Sequence, residues 1–245
     1  HFLILFHSDL EAVAWEVAAR ADNVHDALVT RIGHMPRQKT HIVITDRTDA
    51  ANASASPLFE NRIVLYPAFP GLSTAHLSGF DLSFSDWLTL LITHEYAHIL
   101  QMDMQSPASE ALTSVLGRVP FLATPLLLAP PLVLEGFAVL QESADGNGRG
   151  NSSYYRMFLR TAALEGTLPE LDQVIAEYPL DRWQPGGHIY FYGFEFLNYL
   201  VRRLGPDTLH RLNEYLKRRP DSLSRAVLGA TGTPLRVLWQ EWREE

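Results

Sequence analysis

Apolar residues recur with helical spacing over most of the chain and with strand-like spacing only near its start. The run Phe2–Phe6 is apolar and predicts a strand. From Leu10 to Ile32, apolar residues follow every three or four positions, which predicts a long amphipathic helix. The capping-box pattern Ser-Asp-Leu-Glu that starts at Ser8 predicts where this helix begins, and Gly33 predicts where it ends.

Two further segments have the β-branched composition of strands. Thr40–Thr45 and Asn61–Tyr66 both predict strands, whereas Asp46–Pro57 is polar and rich in small residues, which predicts a loop. An open edge on the strand Asn61–Tyr66 would bind an extended peptide. An ordinary strand of the sheet interior is the alternative, and the sequence leaves the two equally open.

Helical patterns dominate the later part of the chain, which predicts an α+β fold. We expect one domain over residues 1–245, with a sub-lobe of about residues 1–105 that holds a small mixed sheet and a mostly helical sub-lobe of about 106–245. The glycine-rich run Asp145–Asn151 predicts a flexible loop and a candidate lobe boundary. The predicted helices are one that is capped by Ser83 or Ser85 and runs to about Asp103, then Pro107–Leu116, Leu132–Ser143, Tyr154–Leu164, His188–Leu204, Pro206–Lys217, Ser222–Leu228 and Leu235–Glu244.

Composition narrows the classes of function. The 245 residues are 47% hydrophobic with a net charge of −8, so we expect a globular core and no nucleic-acid partner, which would need a basic face. The chain has no cysteine, which excludes disulfides and thiolate metal sites. The absence of cysteine fits a bacterial periplasmic or extracellular protein, the location that we expect, and equally a cytosolic one. Because the chain begins at His1 rather than Met, we expect a piece of a longer protein without its signal segment.

The helix that precedes Asp103 carries an H-E-x-x-H motif, His94-Glu95-Tyr96-Ala97-His98. On an α-helix a four-residue step turns through roughly 400°, so the two histidines lie one turn apart on the same face. Two imidazoles so placed can bind one Zn²⁺, while Glu95 lies beside the ion and can accept a proton from the water that it activates. The alternative is an accidental match, with both histidines hydrogen-bonded in a core.

A catalytic zinc site needs a third protein ligand. Glu135 is our candidate, because it lies in an otherwise apolar run where an unpaired carboxylate would be unfavourable. Gly136 beside it would let another backbone approach closely. Glu142 lies two helical turns further along the same face and is predicted to hydrogen-bond a ligand histidine. In the alternative, Glu135 is a surface acid at a helix start.

The motif His94-Glu95-Tyr96-Ala97-His98 and the later Leu134-Glu135-Gly136-Phe137-Ala138 together resemble the gluzincin metallopeptidases, and within them the aminopeptidase-N-like group. The resemblance implies a thermolysin-like architecture and assigns the two histidines and Glu135 to Zn²⁺. It also implies that Glu95 is general base and acid. The function we expect is therefore zinc-dependent hydrolysis of a peptide or protein substrate.

The sequence differs from the classical aminopeptidases at three points. Glu135 lies 37 positions after His98, so an insertion intervenes. Leu134 stands where those enzymes have an asparagine before the glutamate. The G-x-M-E-N motif that binds the free amino terminus of a substrate is absent, so the resemblance does not imply exopeptidase action.

A set of bacterial aminopeptidase-like domains that precede a β-propeller is a closer match. This resemblance implies a C-terminal β-propeller in the full-length chain. It also implies that a tyrosine hydrogen-bonds the oxyanion of the reaction, with Tyr190 as the first candidate and Tyr192 as the second. The alternative is that these tyrosines, with the neighbouring phenylalanines, form an aromatic stripe that only packs in the core. The matching stretches are His41–Ala53, Asn61–Pro70, Asp86–Asp103 and Tyr190–Leu200.

A non-catalytic hypothesis stands beside the peptidase one, namely a scaffold, metal-stabilised or metal-free, that binds peptide along Asn61–Tyr66. The intact Glu95 favours the enzyme, because a scaffold has no need of a base. The uncharged stretch Val119–Leu134 predicts a buried or groove-lining loop, with a lid-like loop or peripheral membrane contact as the alternative. The remaining histidines without ligand spacing are expected to have no functional role: His7, His25, His34, His41, His76 and His210.

Overall fold

The computed structural model describes residues 1–49, 51–68, 86–119, 123–175, 187–219 and 221–245. Near the amino end, one sheet contains the strands β1 (Phe2–Leu5), β2 (Thr40–Ile44), β3 (Asn52–Ser56) and β4 (Arg62–Tyr66). Their order is β1-β2-β4-β3; β1, β2 and β4 run parallel, and β3 runs antiparallel to β4. Together with the helices described below, this small mixed sheet confirms the α+β fold class.

The pairing of the strands decides between the two alternatives for Asn61–Tyr66. β4 pairs with β2 on one side and with β3 on the other, so of the two alternatives for Asn61–Tyr66 the interior strand is confirmed and the open edge is wrong. The edge strands are β1 and β3, and β3 lies inside the Asp46–Pro57 segment that we expected to be a loop. Its sequence, Asn-Ala-Ser-Ala-Ser, has no β-branched residue, and it forms a strand because β4 supplies its hydrogen-bonding partners.

Two long helices pack on one face of the sheet. Alternate residues of β2 and β4 are buried against α1 (Glu11–Ile32) and against the helix that holds the H-E-x-x-H motif. Ser8 begins a short 3-10 turn, Ser8–Leu10, so the prediction that it caps the long helix is wrong, and its hydroxyl contacts Asp9 instead. α1 ends at Gly33, whose φ of 73° is left-handed, as the glycine predicted.

The motif helix α2 (Trp87–Met102) packs against both α1 and α4 (Pro131–Ser143). Asp86 caps its start, since the Asp86 carboxylate accepts a hydrogen bond from the N–H of Thr89 at 3.1 Å. The caps that the sequence favoured, Ser83 and Ser85, lie outside the described residues. Nearly every residue of α2 after its first turn is buried, so the polar side chains that it carries must be satisfied inside the protein.

Most of the remaining described chain is helical and forms a second hydrophobic cluster. The helices that the sequence analysis predicted here agree with the structure to within three residues at each end, and the short helix Leu171–Ile175 was not predicted. Besides α4, they are α3 (Pro107–Leu116), α5 (Ser153–Leu164), α6 (Leu171–Ile175), α7 (His188–Leu204), α8 (Thr208–Arg218), α9 (Leu223–Thr231) and α10 (Leu235–Glu244).

The helices α4 and α7 cross at a pair of glycines. A Cβ atom on Gly136 would lie 2.4 Å from the carbonyl carbon of Gly193, and one on Gly193 would lie 2.4 Å from the carbonyl oxygen of Leu132. The close approach predicted at Gly136 is therefore confirmed. It brings Glu135 on one helix and Tyr190, one turn before Gly193 on the other, to the wall of the same cavity.

The described part of the apolar stretch that follows Val119 is mostly buried. Pro125–Leu128 forms a 3-10 turn, and Leu127 and Leu134 line a cavity beside the motif helix. This agrees with the predicted groove-lining loop, while peripheral membrane contact stays a prediction. Among the helices that the structure describes, none combines the length and the hydrophobicity needed to cross a membrane.

Candidate metal centre

The side chains of His94, His98 and Glu135 converge on one point. Nε2 of His94 lies 3.2 Å from Nε2 of His98 and 3.2 Å from Oε2 of Glu135, and Nε2 of His98 lies 3.3 Å from the same oxygen. Both histidines come from one face of α2, and Glu135 comes from α4. The structure thus brings together the three residues that the sequence put forward as metal ligands.

This triangle of donor atoms has the size of a tetrahedral zinc site. Zn²⁺ binds imidazole nitrogen and carboxylate oxygen at roughly 2.0–2.1 Å, which in a tetrahedron separates the donors by about 3.3–3.4 Å. The observed separations of 3.2 and 3.3 Å are close to this value. Since the donor set of two nitrogens and one oxygen is also one that catalytic zinc uses, the residues fit the ion.

Glu142 orients the ring of His94. Oε2 of Glu142 lies 2.8 Å from Nδ1 of His94, and a proton on Nδ1 leaves the Nε2 lone pair free to face Glu135 and His98. The predicted contact between Glu142 and a histidine of the motif is therefore present. Because this hydrogen bond holds the imidazole ring at Nδ1, the direction in which Nε2 points is fixed.

Arg149 in turn holds Glu142. Its backbone N–H and Nε donate to Oε1 of Glu142 at 2.9 and 2.8 Å, and its Nη2 donates to Oε2 at 2.9 Å. Nη2 also lies 2.7 Å from Nδ1 of His94, because both groups approach the same carboxylate oxygen. Every oxygen of the buried Glu142 carboxylate thus accepts a hydrogen bond, which keeps this group ionised in the interior.

The charges of the cluster favour a positive group at its centre. Burial and the charge of Arg149 lower the pKa of His94, but hydrogen bonds with Glu135 and Glu142 outweigh them and raise it to about 9. Burial raises the pKa of Glu135, but its hydrogen bonds with His94 and His98 more than reverse this, so its pKa lies well below the usual range. A proton is held tightly where a metal would bind, and metal binding would release it.

Glu95 lies beside the three converging side chains and lines the same cavity, which has a volume of about 640 Å³. Burial raises the pKa of the Glu95 carboxyl, although positive charge on His94 and His98 acts in the opposite direction. A raised pKa makes a carboxylate a stronger base, which suits a group that takes a proton from water. The other walls include residues 51–55 around the edge strand β3.

The two tyrosines put forward as oxyanion donors lie in different surroundings. Tyr190 lines the cavity, with its ring 5.9 Å from that of His94 and the guanidinium carbon of Arg149 4.6 Å from its centroid. Tyr192 is 1% exposed and packs in the helical core against Trp242. Burial raises the pKa of Tyr190, so its phenol keeps its proton at neutral pH and can donate a hydrogen bond.

Arg149 is the residue of this cluster that the sequence analysis missed. It lies in the run Asp145–Asn151, which we expected to be a flexible loop at a lobe boundary. Instead, Arg149–Asn151 forms a 3-10 turn in which Arg149 is buried. The sequence did contain a signal for Arg149. A buried acid at Glu142 needs a cationic partner, and Arg149 is the first basic residue that follows Glu142 along the chain.

Comparison with known proteins identifies a relative of this chain that is itself uncharacterized. No family model and no solved structure matches the chain. An uncharacterized protein of Treponema pallidum (strain Nichols) is 26% identical over 216 residues, which cover 86% of this chain and 18% of that protein. The chain thus spans less than a fifth of the length of this relative. Because the relative is itself uncharacterized, it assigns no function to this chain.

Proposed function

We propose that the chain is a zinc metallopeptidase domain of the gluzincin type, with thermolysin-like architecture, that hydrolyses peptide bonds. The observation that carries the proposal is the nearly equilateral triangle of Nε2 of His94, Nε2 of His98 and Oε2 of Glu135, whose sides fit a tetrahedral zinc ion. A carboxylate with a raised pKa, Glu95, stands beside this triangle in the same cavity.

Each of these residues has a separate role in the proposed reaction. Zn²⁺ held by the two histidines and Glu135 would polarise the attacking water and the scissile carbonyl. Glu95 accepts a proton as the water oxygen adds to the carbonyl carbon, and gives it to the amine nitrogen as the C–N bond breaks. Tyr190 donates a hydrogen bond to the carbonyl oxygen, where negative charge develops. Glu142 keeps His94 in the tautomer that the site needs.

We propose that the substrate binds along β3 rather than along Asn61–Tyr66. In the described part of the chain, β3 pairs with β4 alone, and residues 51–55 line the cavity. The free edge of a strand can pair with an extended peptide through backbone hydrogen bonds. A peptide or protein segment bound there would pass in front of Glu95 and the ligand histidines.

The location of the domain and the domain that follows it are proposed from the resemblance. We propose a bacterial periplasmic or extracellular location and a β-propeller after this domain in the full-length chain. The net charge of −8 supports an interaction with proteins rather than with nucleic acid.

The proposal is tested by metal analysis together with cleavage of an unstructured protein such as casein, with and without a chelator. We expect bound zinc, cleavage that the chelator abolishes, and recovery when zinc is returned. Glu95→Gln should keep its zinc and lose cleavage, because the amide cannot accept the proton. A wild-type protein that binds zinc without any cleavage would instead favour the scaffold hypothesis.

A further inference from the structure

A second group of ligand-type side chains lies on the amino-terminal part of the molecule. One donor atom from each of His1, His25 and Asp26 lies within 4.8 Å of the other two. His1 directly precedes β1, and its carbonyl oxygen accepts a hydrogen bond from the N–H of Thr40 at 3.1 Å, so its backbone is fixed to the sheet. His25 and Asp26 are neighbours on α1.

His25 has an unusual environment for a histidine without a role. It is 2% exposed, and its Nδ1 lies 2.6 Å from the hydroxyl of Tyr96. Its Nε2 is buried and has no hydrogen-bond partner among the described residues. A buried polar atom without a partner is unfavourable and calls for an explanation, such as an ion that binds there. The hydroxyl of Tyr96 holds the other nitrogen, as side chains behind metal-binding histidines do.

We propose that His25, His1 and Asp26 form a second zinc site, distinct from the one on His94, His98 and Glu135. The Nε2 of His25 would be the buried ligand, and the exposed imidazole of His1 and carboxylate of Asp26 would complete the protein's share of the coordination. Two imidazoles and a carboxylate are the donors that zinc takes at nitrogen and oxygen sites, with water in the fourth position. The proposal gives His25 a role, whereas the sequence alone led us to expect none.

The ring of His1 has to turn for this site to form. Its plane lies nearly parallel to that of His25, at 18° and with the ring centroids 3.6 Å apart, so the nitrogen lone pairs of the two rings do not yet converge. His1 and Asp26 are both exposed, so their side chains are free to rotate. The buried ring of His25 keeps its position, because Phe2 and Tyr96 pack around it.

The second site lies behind the motif helix. Tyr96 follows His94 by two residues, which places it about 200° further round α2 and so away from the ligand face. The proposal therefore does not depend on the peptidase function. An ion there would join the start of β1 to α1, and it is expected to raise the thermal stability of the protein.

Zinc stoichiometry in protein produced without a histidine tag tests this proposal. We expect two zinc ions per chain in the wild type. His1→Ala and Asp26→Asn, which change only exposed side chains, should each bind one. His7→Ala is the matched control and should bind two, since His7 and Asp9 also form an exposed pair at 3.3 Å but belong to no group of three ligand side chains among the described residues. In His98→Ala, added zinc should still shift the imidazole ¹⁵N resonances of His25.

The outcomes separate this site from the one on α2 and α4. If His1→Ala and Asp26→Asn bind as many ions as the wild type, the second site is wrong. If the wild type binds a single ion that His98→Ala loses and Asp26→Asn keeps, the second site is again wrong and the proposed peptidase site stands. If Asp26→Asn loses an ion while His98→Ala loses none, the second site is right and the peptidase site fails.

Discussion

Arg149 and Glu142 form a doubly hydrogen-bonded ion pair inside the protein, with Nε and Nη2 of the arginine 2.8 and 2.9 Å from Oε1 and Oε2 of the carboxylate. The side chain of Glu142 is fully buried and that of Arg149 is 4% exposed. The same carboxylate accepts from His94, so the ion pair connects a helix-to-helix loop to the proposed metal ligand. The chemistry proposed for the site thus depends on a residue that is not itself one of the three proposed metal ligands.

Arg149→Met is expected to lower the free energy of unfolding by about 3–5 kcal/mol, because it leaves the Glu142 charge buried without its partner. Urea denaturation with a chelator present measures this. Arg236→Met is the control, since Arg236 pairs with Asp172 at 3.1 Å but both side chains are more than 70% exposed. That variant should lose no more than about 1 kcal/mol. Equal losses in the two variants would contradict a structural role for the buried pair.

The stability that Glu142 contributes is expected to depend on pH in a defined direction. Burial raises the pKa of Glu142, but the charge and hydrogen bonds of Arg149, with that of His94, lower it more strongly, to about 2. A carboxyl with a lowered pKa in the folded state stabilises the fold above its unfolded pKa, near 4.5. This contribution is lost as the pH falls from about 4.5 towards 2.

The measurement compares wild type with Glu142→Gln in chelator from pH 6 to pH 3. The difference in unfolding free energy between the two should be constant above about pH 5 and should shrink as the solution becomes more acidic. A difference that stays constant down to pH 3 would show that the carboxyl of Glu142 is not held ionised by its partners.

Gly193→Ala is expected to destabilise the protein although alanine is the better helix former by about 1 kcal/mol. The added Cβ would lie 2.4 Å from the carbonyl oxygen of Leu132, so α4 and α7 must move apart. We expect a net loss of about 1–3 kcal/mol, together with weaker zinc binding because Glu135 moves with α4. Asn198→Ala on the same helix should have neither effect. A Gly193→Ala protein that is more stable than wild type would show that the crossing tolerates a methyl group.

Tyr190→Phe tests the proposed donor to the carbonyl oxygen. The variant should keep its fold and its zinc, while kcat falls by about 10²–10³ and KM changes little, because the hydrogen bond is made as charge develops. Tyr192→Phe, in the helical core, should keep kcat near the wild-type value. If the two variants have the same kcat, Tyr190 does not donate to the oxyanion.

Features that depend on local pattern could be predicted from the sequence. The two histidines face one way because they are four residues apart on one helix, and Glu135 was found because an acid in an apolar run needs a partner. The contact of Glu142 with His94 follows from the same argument two turns along α4. These predictions used the period of the α-helix and the cost of burying an unpaired charge. They did not need the order of the strands in the sheet.

Features that depend on distant pairing were missed. The residues of β3 are small, and β3 is a strand because it forms hydrogen bonds to β4. Neither the strand nor its place at an edge of the sheet could therefore be predicted from composition. Arg149 lies in a glycine-rich run that is typical of a mobile loop, and the buried carboxylate that holds it comes from another element. His25 shows no ligand spacing because its proposed partner His1 is distant along the chain.

Anomalous diffraction at the zinc edge, from a crystal soaked in zinc, would locate the metal ion itself. We expect a peak within roughly 2.0–2.1 Å of Nε2 of His94, Nε2 of His98 and Oε2 of Glu135. A map with no peak between these three atoms, at a zinc concentration that fills sites elsewhere in the crystal, would contradict the metal site and with it the proposed peptidase.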